Sequence, residues 1–202
     1  MKKIILTIAL LISVINIASA QFTVGPKVGL NKTKEHFGKK FVDEIVDFKT
    51  GINAGFFGKY TMNDKLGIQT ELLYSQQGYK GNVNLYDNGG TFMSGGFKYS
   101  SHYFNIPLVL KYYPIKRLYI EAGPQIGFCL NSKISPIEYT DESIDTDYNT
   151  IDFSLVGGIG YNIVNRLSVN ARYSHGFSKT LHSSKWQNRV IQISLAYDLW
   201  DF

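Results

Sequence analysis

Six charged residues fall where side chains of a strand would turn away from its apolar face: Lys27, Lys59, Glu71, Lys111, Glu121 and Arg172. Glu71 and Glu121 are the residue types that general acid–base hydrolysis uses in pairs. A carboxylate held among cations is a poor proton donor, however, and four cations accompany these two. The set therefore reads as a network of ion pairs or a charged constriction. Ser174-His175 could suggest a nucleophile and base, but neighbours on a strand point to opposite faces. No Gly-flanked serine signature accompanies them. His36, His102, His175 and His182 show no metal-ligand spacing. The acidic stretch Glu138, Asp141, Glu142, Asp145 and Asp147 lacks the spacing and central Gly of a calcium loop. No catalytic residue, metal site or cofactor is assigned, and an enzyme is not expected.

The elements that must carry these charges follow from the rest of the chain. Lys2 and Lys3 precede an apolar run from Ile4 to Ile15, and Ala18-Ser19-Ala20 follows. A basic start, a short apolar core and small residues before a cleavage point form a secretory signal peptide. Residues 1–20 are expected to be the leader and residues 21–202 one domain of 182 residues. A lipid-anchored precursor would need cysteine at position 21, where Gln21 stands. Losing Lys2 and Lys3 lowers the net charge from +5 to +3, too mild and too scattered for nucleic acid. Cys129 is the single cysteine, so the domain has no internal disulfide. After the leader, the longest stretch free of Lys, Arg, Asp, Glu and His is the 13 residues Phe153 to Asn165. That is too short to cross a membrane as a helix, but strands present only alternate residues to lipid and escape this limit.

The apolar period is two throughout. Eight segments show it, beginning with Phe22, Val24, Pro26, Val28 and Leu30, and then Ile52 to Tyr60. The others run from Ile68 to Tyr74, Phe104 to Tyr112, Leu118 to Leu130, Phe153 to Tyr161, Leu167 to Tyr173 and Ile191 to Leu199. Their opposite faces carry Gly, short polar residues and the six charges. In a soluble ligand-binding barrel the apolar face would point inward; in a membrane barrel it points outward. A face of Gly, Ser, Asn and Gln suits a narrow interior that side chains must fill. Aromatics also bracket the apolar faces: Tyr60, Tyr112, Tyr161 and Tyr197 at one end, Tyr74, Phe104, Phe128, Phe153 and Tyr173 at the other. These resemble interfacial girdles. Connections alternate long (32–49, 79–101, 132–150, 178–187) and short (61–65, 113–117, 162–166), the habit of barrels with outer loops and periplasmic turns. The expected fold is an all-β, eight-stranded antiparallel up-and-down transmembrane β-barrel. Counted from the short turns, Lys27, Glu71, Glu121 and Arg172 lie four or five residues up, in one layer near mid-depth. Pro26, Pro107 and Pro124 fall inside strands, where each removes a ladder hydrogen bond.

The segments VGPKVGLN (24–31), ELLYSQQGYK (71–80), YFNIPLVLKYYP (103–114), IEAGPQIGF (120–128), LVGGIGY (155–161) and ARYSHGF (171–177) resemble the PorT-like outer-membrane β-barrel family of Gram-negative bacteria. That family is similar in architecture to OmpA- and OmpX-type barrels. Their order and spacing cover nearly the whole mature chain. The resemblance implies a bacterial outer-membrane location, and it tolerates Pro107 and Pro124. It specifies fold rather than activity. The expected protein is a monomeric outer-membrane barrel with a plugged lumen. Its partners are membrane lipid and, through the four long connections, an envelope or extracellular protein. A narrow channel and an accessory subunit of an envelope secretion machine are the alternatives.

Overall fold

The computed structural model describes residues 21–36, 46–86, 92–136, 144–145, 150–178 and 187–201. The expected leader, and parts of each long connection, lie outside the described residues. Eight long strands follow in order: β1 (Gln21–His36), β2 (Val46–Asn63), β3 (Leu66–Tyr86), β4 (Phe92–Ile115), β5 (Leu118–Pro136), β6 (Ile151–Val164), β7 (Leu167–Gly176) and β8 (Gln187–Tyr197). Each pairs antiparallel with its sequence neighbour, and β1 pairs with β8, so the sheet closes on itself. Two short segments, Ile144–Asp145 beside β5 and Trp200–Asp201 beside β1, extend it.

The register fixes the barrel's slant. One row of partners runs Phe128, Phe104, Tyr74, Ala54, Val28, Leu195, Val169, Tyr161 and returns to β5 at Leu118, ten residues before its start. Eight strands with that slip tilt by about 40° to the barrel axis. Each row therefore falls by roughly one residue per strand relative to the membrane plane. With that fall included, Tyr74, Phe104, Phe128, Phe153 and Tyr173 lie near one level.

Alternation along the strands decides which face is inside. Outward positions are large, apolar and open, such as Phe56 (65% exposed), Leu30 (59%), Phe153 (57%) and Leu108 (52%). Inward positions are polar and closed: Lys27, Asn31, Asn53, Gln69, Glu71, Glu121 and Arg172 are all buried. Such a surface is stable only in hydrocarbon, where the closed ladder leaves no unpaired backbone edge.

The prolines sit where ladders break, at Pro107 and Pro124 without loss of register and at Pro26 with a shift of one residue between Lys27–Ala196 and Val24–Trp200. The β3–β4 ladder skips from Thr70–Leu108 to Leu73–Asn105 around Pro107. The β4–β5 ladder skips from Pro107–Gln125 to Leu110–Ala122 opposite Pro124. Below Lys27–Ala196 the β1–β8 ladder gives way at Pro26, and the Leu199 amide donates to the Val24 carbonyl instead, at 2.9 Å. At the short β2–β3 turn, Asn63 Oδ1 accepts from the amides of Lys65 (2.9 Å) and Leu66 (3.0 Å), the local bond that favours Asn there.

One expectation needs correction. Much of the sequence assigned to long loops is paired strand: β1 runs to His36, β2 starts at Val46, and β3 and β4 stay in register to Tyr86–Phe92. β5 reaches Pro136, and β8 begins at Gln187. Outside the hydrocarbon both strand faces accept polar residues, so the apolar alternation that marks a strand fades while the backbone ladder continues.

Candidate functional site

Arg172 on β7 reaches across the barrel interior. Its Nη1 and Nη2 donate to Glu71 Oε2 and Oε1 on β3, both at 2.9 Å, and its Nε donates to Glu121 Oε1 on β5 at 2.9 Å. The forked guanidinium fits this task because its planar donors match a carboxylate's two oxygens. Lys27 on β1 donates to the same Glu71 carboxylate at 3.0 and 3.1 Å. Lys111 on β4, beside Glu121 in the ladder, places its Nζ 3.7 Å from Glu121 Oε2 and 4.1 Å from the centre of the Tyr119 ring. Glu121 Oε2 has no hydrogen bond, so that ion pair is its main compensation. The side chains of Lys27, Glu71 and Glu121 are fully covered, and Arg172 is 1% exposed. Ions so desolvated are stable only when paired and hydrogen-bonded.

The structure thus brings together five of the six residues selected from sequence, from five strands. Lys59 stands apart: it pairs with Asp198 at 2.9 Å toward the short-turn end, half-open to water. Three contributors were not selected from sequence. Gln69 donates to Glu71 Oε1 at 2.6 Å, Asn170 donates to Glu121 Oε1 at 3.0 Å, and Tyr119 lies under the Lys111 ammonium. Each shares strand parity with a selected charge two residues away, and that signal could have found them.

Further layers fill the interior on both sides. Toward the short turns, Thr23 Oγ1 donates to Asp201 at 2.9 Å. Toward the long connections, Asn53 donates to Asn31 (2.8 Å), Asn31 to Ser75 (2.8 Å), Gln77 to Ser75 (3.0 Å) and Ser194 to Asn53 (3.1 Å). A space between Asn31, Ser75, Asn105, Gln125 and Ser174 measures about 10 Å³, room for about one water. Above it the rings of Tyr79 and Tyr99 stack 4.9 Å apart, with Ser132 donating to the Tyr99 hydroxyl at 2.6 Å. At the short-turn mouth a vestibule of about 350 Å³ opens between Lys59, Asp64, Tyr113 and Lys116. Among the described residues, no three His, Cys, Asp or Glu side chains cluster as metal ligands.

Comparison with known proteins places this architecture. No curated protein shows a significant match to the sequence. Among solved structures, Neisserial surface protein A is similar at 11% identity over 90% of this chain and 100% of that one, with a TM-score of 0.52. Ail, the attachment invasion locus protein of Yersinia pestis, solved with the heparin analogue sucrose octasulfate, is similar at 16% identity over 89% and 99%, with a TM-score of 0.48. OprG from Pseudomonas aeruginosa is similar at 12% over 89% and 95%, with a TM-score of 0.38. The family model described as "outer membrane protein beta-barrel domain" matches residues 17–182. With an apolar exterior, a closed ring of eight tilted strands and that match over most of its length, the chain belongs to the family of outer membrane protein beta-barrel domains and resides in the bacterial outer membrane.

Proposed function

We propose that this protein is a closed barrel: a membrane-embedded scaffold that passes no solute and acts through what it presents above the membrane. The observation that carries the reading is the Arg172 bridge from Glu71 to Glu121, flanked by Lys27 and Lys111, at the middle of the interior. A permeating ion would have to displace several charge-assisted bonds at once in a place with almost no free volume. The strand extensions supply the presenting surface, above all the long β3–β4 hairpin, where Lys80 and Lys98 stand directly opposite each other. Like charges so placed destabilise a sheet; Asp47 on β2, directly across from Lys80, offsets one of them, and the surplus positive charge suits an acidic partner. No enzymatic step belongs to this reading. The resemblance of six segments supports a place among PorT-like barrels; co-purification of a defined envelope complex would add an accessory role in secretion.

The test is to refold the mature chain in detergent, confirm folding by its heat-dependent gel shift, and record conductance in a planar bilayer. A folded, silent barrel is expected. Reproducible channels would overturn the closed-lumen reading in favour of a narrow pore, with the short-turn vestibule as one mouth.

A further inference from the structure

Lys49 on β2 breaks a rule that the cations of the interior network keep. Lys27, Lys111 and Arg172 each pair with a carboxylate. Lys49 is 8% exposed, yet its ammonium donates to neutral oxygens, the Gln77 carbonyl at 3.0 Å and the Ser100 hydroxyl at 2.7 Å. An ammonium has three donors, so one is left over. A desolvated cation without a counter-charge is costly.

Local structure is shaped to place it. Between the pairs Phe48–Tyr79 and Asn53–Ser75, β2 carries one residue more than β3, and such bulges re-aim side chains. Thr33 Oγ1 lies 3.2 Å from the Lys49 carbonyl and 2.6 Å from that of Gly78, pinning both backbones. Gly78 has a φ of 134°, a conformation open to glycine. A Cβ there would collide with the Tyr99 carbonyl and press on Lys49 Cδ at 3.2 Å. The Lys49 stem therefore crosses β3 where no side chain stands, and its ammonium reaches Ser100 on β4.

Two more cations share that place. Ser100 and Lys98 lie on one face of β4, and the exposed Lys80 stands directly opposite the exposed Lys98. Burial, with the charges of Lys98 and Lys80, pushes the Lys49 pKa down to about 8, so the three ammonium groups are in electrostatic reach of one another. The row through Lys80 and Lys98 has Asp47 at one end and Ser135 at the other. Three cations against that one carboxylate leave a surplus of two positive charges. The Ser100 hydroxyl accepts from Lys49 and keeps its own hydrogen to donate. Ser100 lies roughly 10 Å above the outer aromatic level at this tilt, beyond the hydrocarbon.

We propose that Lys49, Lys80, Lys98 and the Ser100 hydroxyl form a binding site for a phosphomonoester group. Its charge of up to about −2 matches the surplus, and its three terminal oxygens accept from donors on three strands, where a carboxylate offers two. The group arrives on a phosphorylated solute or on an outer-leaflet glycolipid. The inference rests on the reading that the β3–β4 hairpin is a presenting surface, and it does not depend on whether the lumen conducts.

Calorimetric titration of the folded mature protein, in uncharged detergent at physiological salt, tests the soluble source with glucose 6-phosphate, against glucose and acetate. Native mass spectrometry tests the lipid source, as retention of diphosphoryl lipid A against its dephosphorylated form. Saturable binding of a phosphorylated probe in one arm is expected, and the arm that shows it identifies the source. Lys98→Gln, at an exposed position, should weaken it roughly tenfold or more, the loss of one bond to a charged group. Asp47→Asn should tighten it by removing the competing carboxylate. A control with Lys65 and Lys116 changed to Gln should bind like wild type, and the heat-dependent gel shift confirms that each variant is folded. No saturable binding in either arm, equal binding of acetate, or equal loss in Lys98→Gln and the control would overturn the proposal. A conducting barrel that still binds the probe would overturn the closed lumen alone; a silent one that binds neither probe would overturn this site alone.

Discussion

The charge count of the interior network makes an asymmetric prediction. Three cations, Lys27, Lys111 and Arg172, share two carboxylates, Glu71 and Glu121. Arg172→Met removes the surplus cation and leaves two complete pairs, Lys27 with Glu71 at 3.0 Å and Lys111 with Glu121 at 3.7 Å. Gln69 and Asn170 still donate to the two carboxylates. Glu71→Gln, nearly the same shape, leaves three buried cations around one carboxylate. Stranding a buried charge costs about 3–5 kcal/mol. Glu71→Gln should reach that range, whereas Arg172→Met should cost about 1–3 kcal/mol, chiefly through lost charge-assisted bonds. Denaturant unfolding in lipid vesicles, followed by the gel shift, measures both. Arg172→Met costing as much as Glu71→Gln, or neither exceeding about 1 kcal/mol, would refute the reasoning, because the network would then not behave as desolvated ions.

Other outcomes follow from single positions. Leu108 faces lipid midway between Phe104 and Tyr112, so Leu108→Arg should destabilise the inserted barrel by about 2–4 kcal/mol, measured by the same unfolding. A Cβ added at Gly160 would collide with the Tyr119 ring, so Gly160→Val should cost about 1–3 kcal/mol by overpacking, and Tyr119→Ala should relieve part of it. Lys49 stands above the outer aromatic level, its ammonium bonded to the Gln77 carbonyl (3.0 Å) and Ser100 (2.7 Å). Burial, with Lys98 and Lys80 nearby, pushes its pKa down to about 8. The unfolded chain therefore binds more protons between pH 8 and its ordinary value of 10.5, and stability contributed by Lys49 rises with pH across that window. Lys49→Met should lack this rise; identical pH profiles for the two proteins would count against it.

How much of this was written in the sequence depends on where each residue stands relative to the membrane. Inside the hydrocarbon band the alternation is enforced on every strand, since one face meets lipid and the other a narrow interior. Leu108 and Ile120 could hardly be read another way, nor could Glu71 and Glu121 be placed anywhere but inside. Above the band the constraint lapses, and residues such as Lys80, Lys98 and Ser100 look like loop although they sit in a continuous ladder. Contacts across the barrel were legible only as a level. Parity and distance from the turns put Arg172 near Glu71, but which carboxylate it would fork depends on a closing register that no local pattern encodes. The bulge between β4 and β5 near Leu130 moves Ser132 inward and Lys133 outward, and a simple period of two misses it.

That dependence on closure gives the network a second consequence. Arg172 and Glu71 are 101 residues apart, and Lys27 and Glu71 are 44 apart on strands that are not ladder neighbours. No hairpin contains the whole set, so it can assemble only when β1 meets β8. The seam needs such a constraint. Its continuous ladder ends at Lys27–Ala196, with Pro26 interrupting below. A one-residue slip there would turn Arg189 and Ile191 inward and Ser194 into lipid. A two-residue slip keeps every face correct, so hydrophobicity alone does not forbid it. It would nevertheless carry Lys27 about 7 Å along the strand relative to Arg172 on the far side of β8. Glu71 cannot meet both cations from 3.0 and 2.9 Å after such a shift. The buried ions therefore select among registers that the lipid-facing pattern leaves equivalent, which is where the cost of desolvating them is recovered.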